Sequence, residues 1–377
     1  MARKLKSDKF LFIATLLLVC ASVVMVYSAS AYLAAERAND QWIFLAKQLT
    51  FALLGLFLVH VIMRIDYRNY RQPVVIWSGL GVVAVALVVV LFGREIKGAT
   101  RWLNFGGLGI QPSELAKLML IIFIAALLER RMEKIDEPSQ ALLPIGAVVG
   151  TFVGLILIQP DLGTSVSILA IAGVMVFAAG VDYRYLAGLV LAAVPAFYFL
   201  IVTSEYRWKR VTAFLDPWAS PFAEGYQMIQ SMIAVSVGGI FGRGLMEGQQ
   251  KLLFLPEPHN DFIYSVIAEE LGFIGATGIL LCFCVIAWRG MRTALRAPDR
   301  FGAFLALGLT TMVAFQALFN ISVVLGLLPT KGIPLPFVSY GGSSLLINLI
   351  GMGILLNVSQ HASNTQVITT ALPTADA

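Results

Sequence analysis

The segment Leu255-Pro256-Glu257-Pro258-His259-Asn260-Asp261-Phe262 places two carboxylates and an imidazole directly ahead of a long apolar run. Pro256 and Pro258 exclude helix and hold the backbone extended, so Glu257, His259 and Asp261 are expected at the mouth of a helix. An Asp so placed has two readings. It can cap the helix by accepting backbone N–H donors, or it can be a general base if burial and nearby cations set its pKa close to the working pH. Spacing alone leaves both open. Glu269 and Glu270 follow roughly two turns into the run, where a carboxylate must face protein, water or a cation. Structural ion pairs are the expectation there.

Three other segments carry polar groups that could act with these: Lys97-Gly98-Ala99-Thr100-Arg101-Trp102, Gln111-Pro112-Ser113-Glu114, and Gln159-Pro160-Asp161-Leu162-Gly163-Thr164. A fourth, Leu328-Pro329-Thr330-Lys331-Gly332-Ile333-Pro334-Leu335-Pro336, lies near the C-terminus. Lys117 falls one helical turn after Glu114, so the two either form an ion pair or leave Lys117 to join Arg101 and Lys331 in a cationic pocket for a phosphate-bearing lipid headgroup. Asp161, between Pro160 and Gly163, has the composition of a turn and of a helix cap. Trp102 fits the aromatic belt of a membrane boundary. The histidines, His60, His259 and His361, lie too far apart in sequence for a histidine metal centre. A divalent cation such as Mg or Mn, held by carboxylates and substrate phosphates, stays open as a cofactor. Cys20, Cys282 and Cys284 lie in apolar runs and fit neither a zinc nor a redox spacing.

The elements that must position these groups are membrane helices. Of 377 residues 58% are hydrophobic and only 13% charged, with a mean hydropathy of +0.82. That excludes a soluble domain, and the scattered basic residues behind the net charge of +5 exclude a nucleic-acid surface. The fold class expected is an all-α integral membrane protein with about ten spans: 10–29, 43–63, 73–92, 114–128, 141–158, 162–180, 184–202, 262–288, 302–324 and 340–358. Residues 1–360 form one membrane domain. It includes a segment over 203–261 in which Met228 to Phe241 reads as an interfacial or re-entrant helix, and 361–377 reads as a polar, disordered tail.

Orientation follows from charge. Arg3, Lys4 and Lys6, then Arg64/Arg68/Arg71, Arg130/Arg131/Lys134, Arg184 and Arg289/Arg292/Arg296/Arg300 all fall on one side if the N-terminus is cytoplasmic. The positive-inside rule makes that side, with both termini, the cytoplasm. Every chemically capable segment then faces outward, and cations placed there invite a functional explanation.

Five ordered motifs resemble the SEDS family (shape, elongation, division and sporulation) over about residues 10–360. They are Gly98-Ala99-x-Arg101-Trp102, Gln111-Pro112-Ser113-Glu114-x-x-Lys117, Gln159-Pro160-Asp161-Leu162-Gly163-Thr164, Leu255-Pro256-Glu257-x-His259-x-Asp261-Phe262 and Pro334-Leu335-Pro336-Phe337-x-Ser339-Tyr340-Gly341-Gly342-Ser343-Ser344. Leu328-Pro329-Thr330-Lys331-Gly332 is similar to the division branch, FtsW, whereas Ile333 to Phe337 is closer to RodA; the FtsW-like branch is favoured. Asn260 stands where the family's pattern has Thr.

The resemblance implies a peptidoglycan glycosyltransferase of the bacterial cytoplasmic membrane that polymerises lipid II at its outer face, in cell division or cell-shape maintenance. Asp261 would be the catalytic base, and Arg101, Lys117 and Lys331 would stabilise the departing pyrophosphate. Trp102, Glu114, Gln159, Asp161, Glu257, His259 and Ser339 complete the implied substrate site. Implied partners are lipid II, the lipid-linked nascent glycan, a class B penicillin-binding protein that supplies transpeptidation, and the division or elongation machinery. A lipid II flippase is the rival from another class, since many spans with intramembrane charge also describe a carrier; a noncatalytic division scaffold is a third reading.

Overall fold

The structure is a computed structural model that describes residues 7–371 apart from 39, 94–99, 106–107, 136, 138 and 253. The basic residues Arg3, Lys4 and Lys6, and Lys97-Gly98-Ala99 of the first motif, lie outside the described residues. Ten long helices fall where spans are expected: α1 (Lys9–Ala38), α2 (Ile43–Ile62), α3 (Pro73–Leu91), α4 (Pro112–Arg131), α5 (Leu142–Ile158), α6 (Leu162–Ala178) and α7 (Tyr183–Val202), and then, after two shorter helices α8 (Glu205–Leu215) and α9 (Tyr226–Gly238), α10 (Ile263–Leu295), α11 (Arg300–Val324) and α12 (Gly342–Ala371). Seven of these, α1, α2, α3, α7, α10, α11 and α12, are long and apolar enough to cross a bilayer. Helices α5 and α6 are apolar but only 17 residues each, and α4 carries charge at both ends. A small hairpin, β1 (Leu103–Phe105) paired antiparallel with β2 (Leu108–Ile110), is added to the otherwise helical fold.

Helix α4 is the axis of the bundle. It packs against α3, α11 and α6, and most of its residues, from Pro112 to Leu128, are buried. That placement explains how Glu114 and Lys117 can lie within a membrane helix, because they face protein rather than lipid. Helix α7 is the opposite case. Its apolar side chains, Leu189, Leu191, Tyr198 and Phe199 among them, are exposed, as expected of a helix whose surroundings are lipid.

At the end of the bundle away from the hairpin the basic connectors meet. Arg71 pairs with Glu129 at 3.3 Å, Arg130 donates to the Arg71 carbonyl at 2.9 Å, and Arg68 pairs with Asp299 at 3.0 Å. The connectors after α2, α4 and α10 therefore share one face. Asn357 of α12 ties them to the core by accepting from Tyr67 N and donating to Met63 O.

Three expectations are corrected. The helix of the eighth span, expected over 262–288, is not continuous: α10 is two helices joined at Gly272, whose φ of 65° and ψ of −164° are outside the helical region and suit glycine. The break frees backbone groups, and the strand-like loop after α9 satisfies them. Arg243 N and Gly244 N donate to the carbonyls of Glu269 and Glu270, while Phe273 N and Ile274 N donate to those of Gly239 and Ile240. Ile263 to Leu271 is thus a short helical segment ahead of the break, and Phe273 to Leu295 continues beyond it. Second, the backbone at 255–262 is coiled in turns rather than extended, with Glu257 at φ +51° and Asn260 bonded back to it through backbone and side chain. Third, the polar tail is shorter than expected, because α12 runs on to Ala371. No Gly or Pro intervenes between Gly353 and Pro373 to stop it.

Candidate active site

The N-terminal ends of α4, α6, α10 and α12 and the first turns of α2 surround one cavity of about 550 Å³, roofed by α8 and α9. Of the predicted site residues, Arg101, Trp102, Glu114, Lys117, Asp161, Glu257, Asp261 and Lys331 line it. Four loops far apart in sequence thus converge. No lining residue comes from the basic connectors at the opposite end.

Asp261 is held by a scaffold that joins two loops. Asn320 of α11 donates to the carbonyls of both Asp261 and Ile333, each at 2.8 Å. Ser339 Oγ donates to Asn260 O at 2.6 Å, and Tyr340 N donates to His259 O at 2.9 Å. The N-cap position of α10 is Phe262, and Asp261 directly precedes it. A Cβ at Gly332 would sit 2.6 Å from Asp261 Oδ2, so a larger residue there must displace that carboxylate. The chain carrying Lys331 is in this way pressed directly against the Asp261 carboxylate.

Three predicted site residues lie behind the cavity wall rather than on it. Gln159 is buried, donating from Nε2 to Leu87 O at 2.9 Å and accepting at its own carbonyl from Arg101 Nε at 3.1 Å. His259 is buried against Phe44 and Tyr340 at ring separations of 5.0 and 5.6 Å. Ser339 bridges the two loops. All three support the wall: Gln159 Nε2 and Ser339 Oγ bond to backbone groups, and the His259 ring packs against two aromatic rings.

The charges divide into closed and open sets. Lys117 Nζ lies 2.8 Å from Glu114 Oε1, and both side chains are almost fully buried; they form the ion pair their spacing allows while both line the cavity, and Glu114 Oε2 has no hydrogen-bond partner among the described residues. Asp161 caps α6 by accepting from Thr164 N and Oγ1, and it also accepts from Gln111 Nε2 at 3.3 Å. Arg101 sits 3.9 Å from Asp161 and donates to the carbonyls of Gln159 and Pro160. Lys331 feels Asp161 but also Arg101, Arg210 and Arg207. Burial, reinforced by those like charges, lowers its ammonium pKa to about 8.

Glu269 and Glu270 do not line the cavity. Glu269 accepts from the backbone of Gln249 and Gln250, and Glu270 pairs with buried Lys251 at 2.6 Å and accepts from Ser28 Oγ and Met246 N. They are the structural ion pairs expected of them. Sequence reasoning overlooked Lys47 of α2, Tyr206 and Arg210 of α8 and Gln227 of α9, all of which line the cavity. For Arg210 a signal existed, since it is a cation on the face that the charge bias otherwise keeps poor in cations.

Comparison with known proteins agrees with this architecture. The family model of the FtsW/RodA/SpoVE cell cycle proteins matches residues 8–364. A protein named probable peptidoglycan glycosyltransferase FtsW from Geobacter sp. (strain M18) is 44% identical over 93% of this chain and 96% of its own length. Stage V sporulation protein E of Bacillus subtilis (strain 168) is 43% identical over 96% of this chain and 99% of its own. Among solved structures, a chain from a study of the structural coordination of polymerization and crosslinking by a peptidoglycan synthase complex superposes with a TM-score of 0.78 at 32% identity, covering 95% of this chain and 99% of that one. The rod shape determining protein RodA of Thermus thermophilus does so with a TM-score of 0.70 at 30% identity, covering 94% and 97%. With the motifs converging on one cavity and matches along nearly its whole length, the chain belongs to the FtsW/RodA/SpoVE family.

Proposed function

We propose that this chain is a peptidoglycan glycosyltransferase that polymerises lipid II in the cavity around Asp261. The observation that carries this reading is the convergence of a carboxylate, Asp261, with the cations Arg101 and Lys331 in one cavity at the end of a membrane bundle. Such a pairing suits displacement at a sugar carbon bearing a diphosphate. Asp261 takes the proton from the acceptor hydroxyl, the oxygen of that hydroxyl forms a bond to the anomeric carbon of the donor chain, and the bond from that carbon to the diphosphate oxygen breaks. One displacement inverts the anomeric centre. The cations oppose the charge that grows on the leaving oxygen, where preorganised groups contribute most.

Glu114 Oε2, buried at the wall and without an internal partner, is suited to accept a hydroxyl or amide hydrogen from a sugar. Trp102 offers an apolar face for a sugar ring. No group of three His, Cys, Asp or Glu side chains among the described residues is arranged to hold a metal, so a divalent ion here would draw ligands from diphosphate oxygens and water as well as from Asp261 or Glu257. The polyprenyl chain would lie against lipid-exposed helix faces.

The membrane is the bacterial cytoplasmic membrane, with the basic connectors and both termini inside and the cavity outside. A flippase would need binding groups reachable from both faces, whereas the basic connectors contribute nothing to the cavity wall. The similarity to a chain from a synthase complex that couples polymerization to crosslinking supports a class B penicillin-binding protein as partner, and the FtsW-named relatives support a division role. The test is polymerisation of lipid II by the purified protein with that partner. Asp261→Asn should abolish glycan formation while membrane insertion and thermal stability stay as in the parent; full retained activity would overturn the assignment.

A further inference from the structure

Lys117, a predicted pyrophosphate ligand, is paired with Glu114, which leaves Lys47, Arg101, Arg210 and Lys331 as the other cations lining the cavity. Arg210 stands among them. It projects from α8 into the cavity wall, and one guanidinium nitrogen donates to Thr330 O at 3.0 Å, the residue next to Lys331. A guanidinium has five N–H donors, so this bond leaves most of the fork available. Among the described residues no carboxylate lies within 4 Å of the Arg210 guanidinium, whereas Lys209 beside it is held by Glu205 at 2.7 Å.

The groups facing Lys331 are Asp161 at the start of α6, Arg101 before the hairpin, Arg207 and Arg210 on α8, and Asp261 through Gly332. Arg207 is turned away toward the end of α7, where it donates to Leu200 O at 2.9 Å. Arg101 and Lys331 share Asp161 as a counter-charge, and that carboxylate also accepts from Gln111 and Thr164. Gathering like charges in a partly buried site is unfavourable unless an anion completes it.

Resting on the glycosyltransferase reading, we infer that Arg210 is a substrate-contacting residue that completes, with Arg101 and Lys331, the site for the departing polyprenyl diphosphate. The diphosphate gains a negative charge as its bond to the anomeric carbon breaks, while the proton of the acceptor hydroxyl passes to Asp261. A planar fork matches adjacent phosphate oxygens better than a point charge does. Arg210 therefore favours the transition state over the ground state.

The experiment compares Arg210→Ala, Arg210→Lys and Asp261→Asn with the parent in the purified complex with its transpeptidase partner, polymerising lipid II across a pH series, with farnesyl diphosphate as a competing product-like probe. Arg210→Ala should lower kcat about 10²-fold and weaken inhibition by farnesyl diphosphate about tenfold. It should also raise the alkaline limb of kcat/KM by about half a pH unit or more, because removing a neighbouring cation stabilises the Lys331 ammonium. Arg210→Lys should recover part of kcat. A purely structural Arg210 would lose activity with an unmoved limb and unchanged farnesyl diphosphate inhibition, and that result, like unchanged turnover in Arg210→Ala, overturns the inference. If Asp261→Asn polymerises normally the functional reading itself fails; if it is inactive and Arg210→Ala behaves as the parent, only the Arg210 assignment fails.

Discussion

Two charge-rich regions flank the start of α10, and they are built to opposite ends. At the Gly272 break, Lys251, Glu270, Ser28 and Glu269 form a closed set in which each carboxylate meets an ammonium, a hydroxyl or backbone amides. At the cavity, Arg210 has no carboxylate within 4 Å among the described residues, and Lys331 lies among Arg101, Arg207 and Arg210 with Asp161 as counter-charge. Burying a charge is costly unless it is paired and hydrogen-bonded. A region that meets that condition from its own side chains needs nothing else, and a region that does not is a place for a ligand. Acidic residues deep in a membrane helix attract attention as catalytic candidates, yet here Glu269 and Glu270 close a backbone break, while the catalytic candidate is the less buried Asp261.

The largest effect that tests this contrast belongs to the closed set. Glu270→Ala leaves Lys251 buried without its partner and should destabilise the protein by about 3–5 kcal/mol, seen as a lower unfolding temperature in detergent and reduced expression. Replacing Lys251 and Glu270 together by Met should restore much of that stability. If the double variant is as unstable as the single one, the pair is not the closed structural unit described here.

An intermediate effect is expected at the contact between the two loops of the open set. Gly332→Ala drives a Cβ against Asp261 Oδ2, and displacement of a reacting group by about 1 Å can reduce turnover about 10²-fold. Stability should change far less than in Glu270→Ala. Equal losses of stability in the two variants would erase the distinction between them.

The smallest and most specific effect is on pH. Lys331 has its pKa lowered to about 8 in the free protein, so it is a cation below that value and loses its charge as pH rises through it. The kcat/KM profile should therefore fall above about pH 8, and Lys331→Arg, which stays charged, should remove that limb even if its peak rate is lower. In kcat the limb should lie higher, because bound diphosphate favours the ammonium. A limb that persists in Lys331→Arg would assign it to another group.

Much of the molecule was legible in the one-dimensional chain. The positions of the ten long helices followed from apolar runs, because the cost of exposing backbone polar groups in lipid is paid locally, segment by segment. The asymmetry of Arg and Lys marked the face on which Arg101, Asp161, Asp261 and Lys331 collect, and the motifs that carry them survive as the cavity wall. Even the pairing of Glu114 with Lys117 follows from a spacing of one turn.

What the chain alone left undecided required side chains from different elements to meet. Asn320 as the clasp of two loops, Gly272 as a break answered by the loop after α9, and Arg210 beside Lys331 are contacts across long stretches of sequence, and no local pattern encodes them. The same holds for Gln159, His259 and Ser339, which share motifs with the lining residues but turn behind the wall. Hydropathy and charge bias are sums over neighbours in sequence, so they determine which segments cross and which face they present. Whether a charge is satisfied or left for a ligand depends on neighbours in space, and only the tertiary structure decided that.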